Sequence, residues 1–256
     1  MSIKKLLLVG VSLIMVGSIT LNANATETSI NTYIEDCDGS PEQMTEQSEE
    51  ELDLLRQKEI ERDEYLNFKS LQRSYDEIKV LPKYKREIQE ESYQCGPYAA
   101  YNGTNGLTSA KNFENNLHTS RSSGTPFPGW WSSTLNLYYG KNLYAAKKAQ
   151  SCSSISAWRD ELKKDIIATI DSGYPVIADC YIYGPDTYLH PDYRNATHQG
   201  TRVIRHYVAV VGYDDRPNTI PAEVCIVDSY GAIGSRMYWT SLDKLKVATW
   251  NYGIVW

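Results

Sequence analysis

The chain has 256 residues, of which 41% are hydrophobic and 23% charged, with a formal net charge of −6. That length suits one sizeable domain plus an extension. The acidic balance lacks the cationic footprint that nucleic acids and anionic membrane surfaces require, while leaving a cationic peptide as a compatible partner.

Met1-Ser-Ile-Lys-Lys leads into the uncharged apolar run Leu6 to Leu21 and then Ala23-Asn24-Ala25. A basic start, a hydrophobic middle and a small-x-small cleavage site predict a secretory signal over residues 1–25. The run is short for a membrane span. The expectation is a secreted protein of the extracellular or cell-wall space, with no membrane partner once the signal is cut. Five cysteines follow: Cys37, Cys95, Cys152, Cys180 and Cys225. Setting Cys95 aside leaves four, which permits pairing in an exported chain without requiring it. Cys180 and Cys225 lie in apolar, strand-like stretches and are expected as buried thiols.

Residues 26–80 form an acidic extension. Pro41 to Val80 holds twelve acidic and six basic residues. Ser48-Glu-Glu-Glu51 matches a capping box, so one long solvated helix is expected through Ile78. Its apolar stripe, Leu52, Leu55 and Leu66, is thin, which favours a stalk or flexible spacer slightly over an inhibitory pro-segment.

Beyond Pro82 comes Ile88-Gln-Glu-Glu-Ser-Tyr-Gln-Cys-Gly-Pro-Tyr-Ala-Ala100. Proline favours the first helical position, so Cys95 is expected at a helix N-terminus, where the dipole raises the thiolate fraction. This helix should end near Asn102-Gly103. Next come a short helix over Leu107 to Leu117, the loop Gly124 to Gly129, and a helix from Trp130-Trp131 through Tyr139. Aromatic residues at a helix start most often pack in the core, and that is the reading of the Trp pair from the residues alone. Leu143 to Ala146 can form a strand. Trp158, Leu162, Ile166 and Ile170 recur every four residues, predicting a helix over Ser156 to Ser172 with Ser156 as cap and Gly173 and Pro175 as stop.

Pro175 to Ile182, Arg205 to Gly212 and Glu223 to Asp228 read as strands, the last two an antiparallel pair across Asp214 to Asn218. Helices first and strands afterwards predict an α+β fold. The polar stretch Tyr183 to Ile204 is expected to rim a cleft.

Gln89, five residues, Cys95-Gly-Pro, His206-Tyr-Val opening a strand and Asp228 closing the next one resemble the double-glycine (bacteriocin-leader) peptidase-like branch of the papain-like cysteine peptidases. The resemblance covers roughly Leu81 to Trp256. It implies a papain-like domain over residues 81–256, with a helical lobe carrying the nucleophile packed on an antiparallel sheet. It implies a cofactor-free peptidase acting on a peptide or protein substrate: Cys95 as nucleophile, His206 as base, Asp228 as orienter and Gln89 as oxyanion donor. His118, His190 and His198 do not open strands, and Asp214 and Asp215 are explained by turn chemistry. The histidines lack i, i+4 pairing and no cysteine pair has zinc-like spacing, so no metal is expected. The exporter-linked relatives cut after double-glycine leaders, but that substrate does not carry over to a chain with its own signal. Acyl transfer or cell-wall peptide hydrolysis by the same triad, and a non-catalytic binding module, remain alternatives.

Overall fold

The computed structural model describes residues 44–71, 77–216 and 223–256, together with the backbone of residues 35–36. The expected signal segment, Cys37 and the tip of the turn after Asp215 lie outside the described residues.

The nucleophile helix expected at Cys95 is α2, Cys95–Gly103, preceded by a 3-10 turn at Ser92–Gln94. Cys95 is itself the first helical residue, so Pro97 sits third rather than first. It still lies in the first turn, where the missing N–H has no helical partner to lose. The left-handed residues come slightly later than expected, at Asn105 and Gly106 (φ 57° and 71°). In α2 every residue but Tyr101 is buried, as the Ala-Ala and Gly-rich sequence allows when sheet and helices pack against it. Then follow α3 (Ala110–Asn116) and α4 (Trp131–Tyr139). The Trp pair divides: Trp131 is in the core, 4.9 Å from the ring of Tyr207, whereas Trp130 is partly exposed against His118.

Helix α5 spans Ile155–Asp171, capped by Ser154 Oγ accepting from the Ala157 amide, two residues before the expected cap. Its four-residue repeat is the buried face: Trp158, Leu162, Ile166 and Ile170 are each at most 1% exposed. Each such side chain contributes roughly 1.5–3 kcal/mol of transfer free energy.

The strands are β1 (Glu35–Asp36), β2 (Ile78–Val80), β3 (Ala146–Lys148), β4 (Val176–Ile182), β5 (Ile204–Asp214), β6 (Val224–Val227), β7 (Met237–Thr240) and β8 (Gly253–Val255). They form one sheet in the order β3-β8-β4-β5-β6-β7, antiparallel throughout. Two strands join β5 from outside that path, β2 antiparallel at Gly212–Asp214 and β1 parallel at Ile204–Arg205. Every residue of β5 except Asp214 is buried, because neighbours cover both edges and helices pack on it. Between β4 and β5 lies the short helix α6 (Tyr193–Ala196), and α7 (Leu242–Thr249) precedes β8. The fold is α+β, with helices packed on an antiparallel sheet.

The charged extension holds α1, Glu49–Leu71, started by the expected box: the Glu51 amide donates to Ser48 Oγ and the Ser48 amide to Glu51 Oε2. The helix does not run through Ile78 as expected: Ile78 begins β2 and pairs with Asp214 of β5. The helix packs on α5 and β3. Its inward stripe is Leu55, Lys58, Arg62, Leu66 and Lys69, three and four residues apart, with Arg62 and Lys69 buried. Arg62 Nη1 donates to Glu161 (2.7 Å) and Asp165 (2.5 Å), and Lys69 Nζ to Asp171 (2.6 Å) and the Tyr213 hydroxyl (2.9 Å). A count of apolar residues alone therefore understates the face, since cations occupy the positions where leucines were sought.

Candidate active site

Helix α2 packs directly on β5, bringing the element that begins with Cys95 onto the strand that carries His206. Both side chains are completely buried. Gly96 makes the approach at the helix start possible: a Cβ there would lie 2.4 Å from Thr125 Oγ1. Thr125 is in turn held by the Tyr207 hydroxyl, which donates to its carbonyl at 3.2 Å. The Cys-Gly step is thus a packing requirement of the loop Gly124 to Gly129 as well as a turn signal.

His206 Nε2 lies 2.8 Å from Asp228 Oδ1, both groups fully buried. Asp228 follows the last residue of β6, so the strand end aims its carboxylate at the neighbouring strand. Its remaining acceptor positions are filled. Oδ1 also accepts the Tyr230 amide (2.9 Å), and Oδ2 accepts the hydroxyls of Tyr193 and Tyr238, each at 2.7 Å. Burial pushes this carboxyl up. The positive charge on His206, its hydrogen bond, and those from Tyr193 and the Tyr230 amide more than offset that, and Asp228 is held below the usual carboxylate range. The rival carboxylates are engaged elsewhere. Asp214 pairs with Arg216 in its own turn, and Asp215 pairs with Lys163.

The two glutamines near Cys95 point in different directions. Gln94 donates through Nε2 to Glu114 on α3 (2.8 Å), and its Oε1 accepts the Glu91 amide. Gln89 is joined to the residue after Asp228: its amide donates to the Ser229 carbonyl (3.0 Å) and its Oε1 accepts the Ser229 hydroxyl (2.9 Å). Its Nε2 lies 3.1 and 3.0 Å from the carbonyls of Glu91 and Ser92, the turn that leads into Cys95. Gln89 therefore belongs to the Asp228 side of the structure and Gln94 to the α3 side.

The other cysteines differ in setting. Cys180 and Cys225 are fully buried, as their strand context implied, and Cys152 is partly exposed. Burial pushes the Cys225 thiol up to about 12 and also raises Cys152. Neither matches the helix N-terminus that Cys95 occupies. No cluster of three or more His, Cys, Asp or Glu able to hold a metal occurs among the described residues.

Reading along the sequence missed the tyrosines. Tyr193 lies in the stretch expected to rim the cleft, yet that stretch folds inward, burying Tyr188, Leu189, Tyr193 and Thr197. Alternation in β7 does place Tyr238 on a buried position, and that was the one available signal.

No curated protein matches the chain significantly. The family model described as Peptidase_C39 like family matches residues 77–253, which takes in α2, the whole of β5 and β6 and the positions Gln89, Cys95, His206 and Asp228. The chain belongs to this C39-like family of papain-like cysteine peptidases.

Proposed function

We propose that the protein is a secreted cysteine peptidase in which Cys95, His206, Asp228 and Gln89 form the catalytic set. The observation that carries this reading is the buried His206–Asp228 pair at 2.8 Å on the strand against which the Cys95 helix packs. With Nε2–H donated to Asp228, His206 keeps Nδ1 as the nitrogen that takes the Cys95 proton. The thiolate attacks the peptide carbonyl, and the resulting oxyanion is met by the Cys95 amide and by Gln89 Nε2, which exchanges its bonds to the Glu91 and Ser92 carbonyls for one to the oxyanion. The His206 imidazolium then protonates the departing amine, leaving a thioester on Cys95. Water gives a proton to His206 as it attacks that thioester, and the carboxylic acid leaves as the Cys95 thiol is restored. Incubation with a mixture of quenched-fluorescent peptides tests this. The wild-type chain should release fluorescence and Cys95→Ala should not. Undiminished release by Cys95→Ala would remove Cys95 from the reaction.

The complete burial of Cys95 and His206 favours a second resolution of the thioester, by an amine where water is kept out. Added hydroxylamine separates the two, since it accelerates turnover only if deacylation is slow.

The same enclosure bears on the extension. Strand β1 pairs with Ile204–Arg205, immediately before His206, and its backbone also lies beside the turn Ser92–Gln94 that precedes Cys95. It thus spans both walls of the candidate site, and we take the extension to act as an inhibitory segment. Asp36→Pro, a residue that a paired strand disfavours, should weaken this pairing and raise turnover, whereas an unchanged rate would contradict inhibition.

A further inference from the structure

Resting on the peptidase reading, one structural feature extends it. Asp228 is a fully buried carboxylate with four donors around two oxygens, which is its full acceptor capacity. The donors divide by role. Oδ1 serves His206 and the Tyr230 amide, and Oδ2 serves only the phenols of Tyr193 and Tyr238. We infer that Tyr193 and Tyr238 are positioning residues, a neutral clamp that holds Oδ2 so that Oδ1 stays aimed at His206.

Three observations support a clamp over incidental packing. Both hydroxyls lie 2.7 Å from the same oxygen, the length of a charge-assisted O–H···O⁻ bond. The two phenols are pushed well above their ordinary range, first by burial and then by the Asp228 charge, so they remain donors at every working pH. The clamp also draws on separate parts of the chain, the α6 insertion and β7, which are packed together: the His190 ring of the insertion lies 4.8 Å from that of Tyr238. Asp192, beside Tyr193, accepts the Gly234 amide at 3.0 Å, and the rings of Tyr193 and Tyr230 stack at 6.1 Å and 14°. A carboxylate on a strand end can rotate about its terminal torsion. Two donors on the far oxygen remove that freedom without introducing a cation that would compete with His206 for the negative charge.

Losing one hydroxyl should reach Cys95 only through Asp228. Oδ2 is no longer held, so Oδ1 turns away from the imidazolium and orients it less firmly. The carboxylate charge, shared with one phenol fewer, attracts the imidazolium more strongly, but only while Oδ1 still faces it. With loss of aim as the larger effect, the Cys95 thiolate is harder to form. In Tyr193→Phe and Tyr238→Phe, the acid limb of Cys95 alkylation by iodoacetamide should therefore move upward by about one pH unit each. In an Asp228→Asn background the same substitutions should move it no further, because their route to Cys95 runs through Asp228. A purely structural role would lower the thermal midpoint and leave the limb in place, and that result in folded variants overturns the clamp. A second readout is independent of Cys95. The downfield proton resonance of His206 Nε2–H should shift in each Phe variant, and an unmoved resonance overturns the inference. If that resonance shifts while wild-type Cys95 reacts only as an ordinary thiol, the clamp stands and the peptidase reading fails.

Discussion

Asp228 and Asp165 are both completely buried beside ionisable partners, and they are handled in opposite ways. Asp228 is surrounded by directed donors, three of them carrying no charge, and is held below the usual carboxylate range. Asp165 faces Lys147 and Arg62 at 3.2 and 2.5 Å, yet burial pushes it up to about 6 against the pull of both cations. Those cations are shared: Lys147 also pairs with Glu59 and Glu161, and Arg62 with Glu161 and Asp63. A divided cation compensates desolvation less well than hydrogen bonds aimed at a single carboxylate. The comparison assigns the directed cluster to geometry, as a triad needs. The charged cluster serves adhesion, as the docking of α1 on α5 needs.

The largest effect expected from breaking this contrast is at Asp228. Asp228→Ala should lower peptide turnover by roughly 10⁴-fold, the scale seen when a triad orienter is lost, while Asp214→Ala stays near wild type. Steady-state kinetics on both folded variants checks this, and reversed losses would mean that the orienter has been misassigned. At the other cluster the cost should appear in stability instead. Asp165→Ala strands Lys147 and Arg62 with fewer partners and should cost about 3–5 kcal/mol, measured by denaturant unfolding.

Gln89→Ala should reduce kcat by roughly 10²- to 10³-fold with little change in KM, as loss of one oxyanion donor does. Gln94→Ala should cost much less in turnover, since Gln94 is bonded directly to the Cys95 amide and its side chain turns away to Glu114 on α3.

The smallest effect is in pH dependence. Because the folded chain holds the Asp165 proton more tightly than the unfolded one, its stabilising contribution is full below the ordinary carboxylate range and is lost as pH rises through about 6. Unfolding free energy should thus gain about 1–3 kcal/mol from this group between pH 6 and 4, and Asp165→Asn should abolish that gain. Glu161, drawn down to about 2 because three cations outweigh its burial, acts in the opposite sense and loses its contribution as pH falls below about 4.5. An Asp165→Asn variant that keeps the wild-type pH profile would show the two clusters to be less different than they look.

The elements that carry the candidate residues were legible because each announced itself locally, within a residue or two. The Cys-Gly-Pro turn starts α2, His206 lies third in β5 rather than opening it, Asp228 follows β6 rather than closing it, and the four-residue repeat of α5 marked its core face. What stayed hidden depended on pairing at a distance. Arg62 and Lys69 read as solvated charge because the acids that pair with them lie about a hundred residues away on α5, and Lys58 because its partner is the distant Leu143 carbonyl. Tyr193 read as a rim residue because no local pattern shows that its hydroxyl reaches Asp228, 35 residues on. Polarity in sequence predicts exposure only when no complementary partner exists elsewhere in the chain.

The central claim is that Cys95 is the nucleophile, activated at its helix start by His206. Brief iodoacetamide treatment at mildly acidic pH, followed by mass mapping of every cysteine, tests it most directly. The account predicts that Cys95 is carboxamidomethylated at least about ten times faster than Cys152 or Cys225, whose thiols burial has raised. Rapid labelling of Cys152 with Cys95 slow would contradict it.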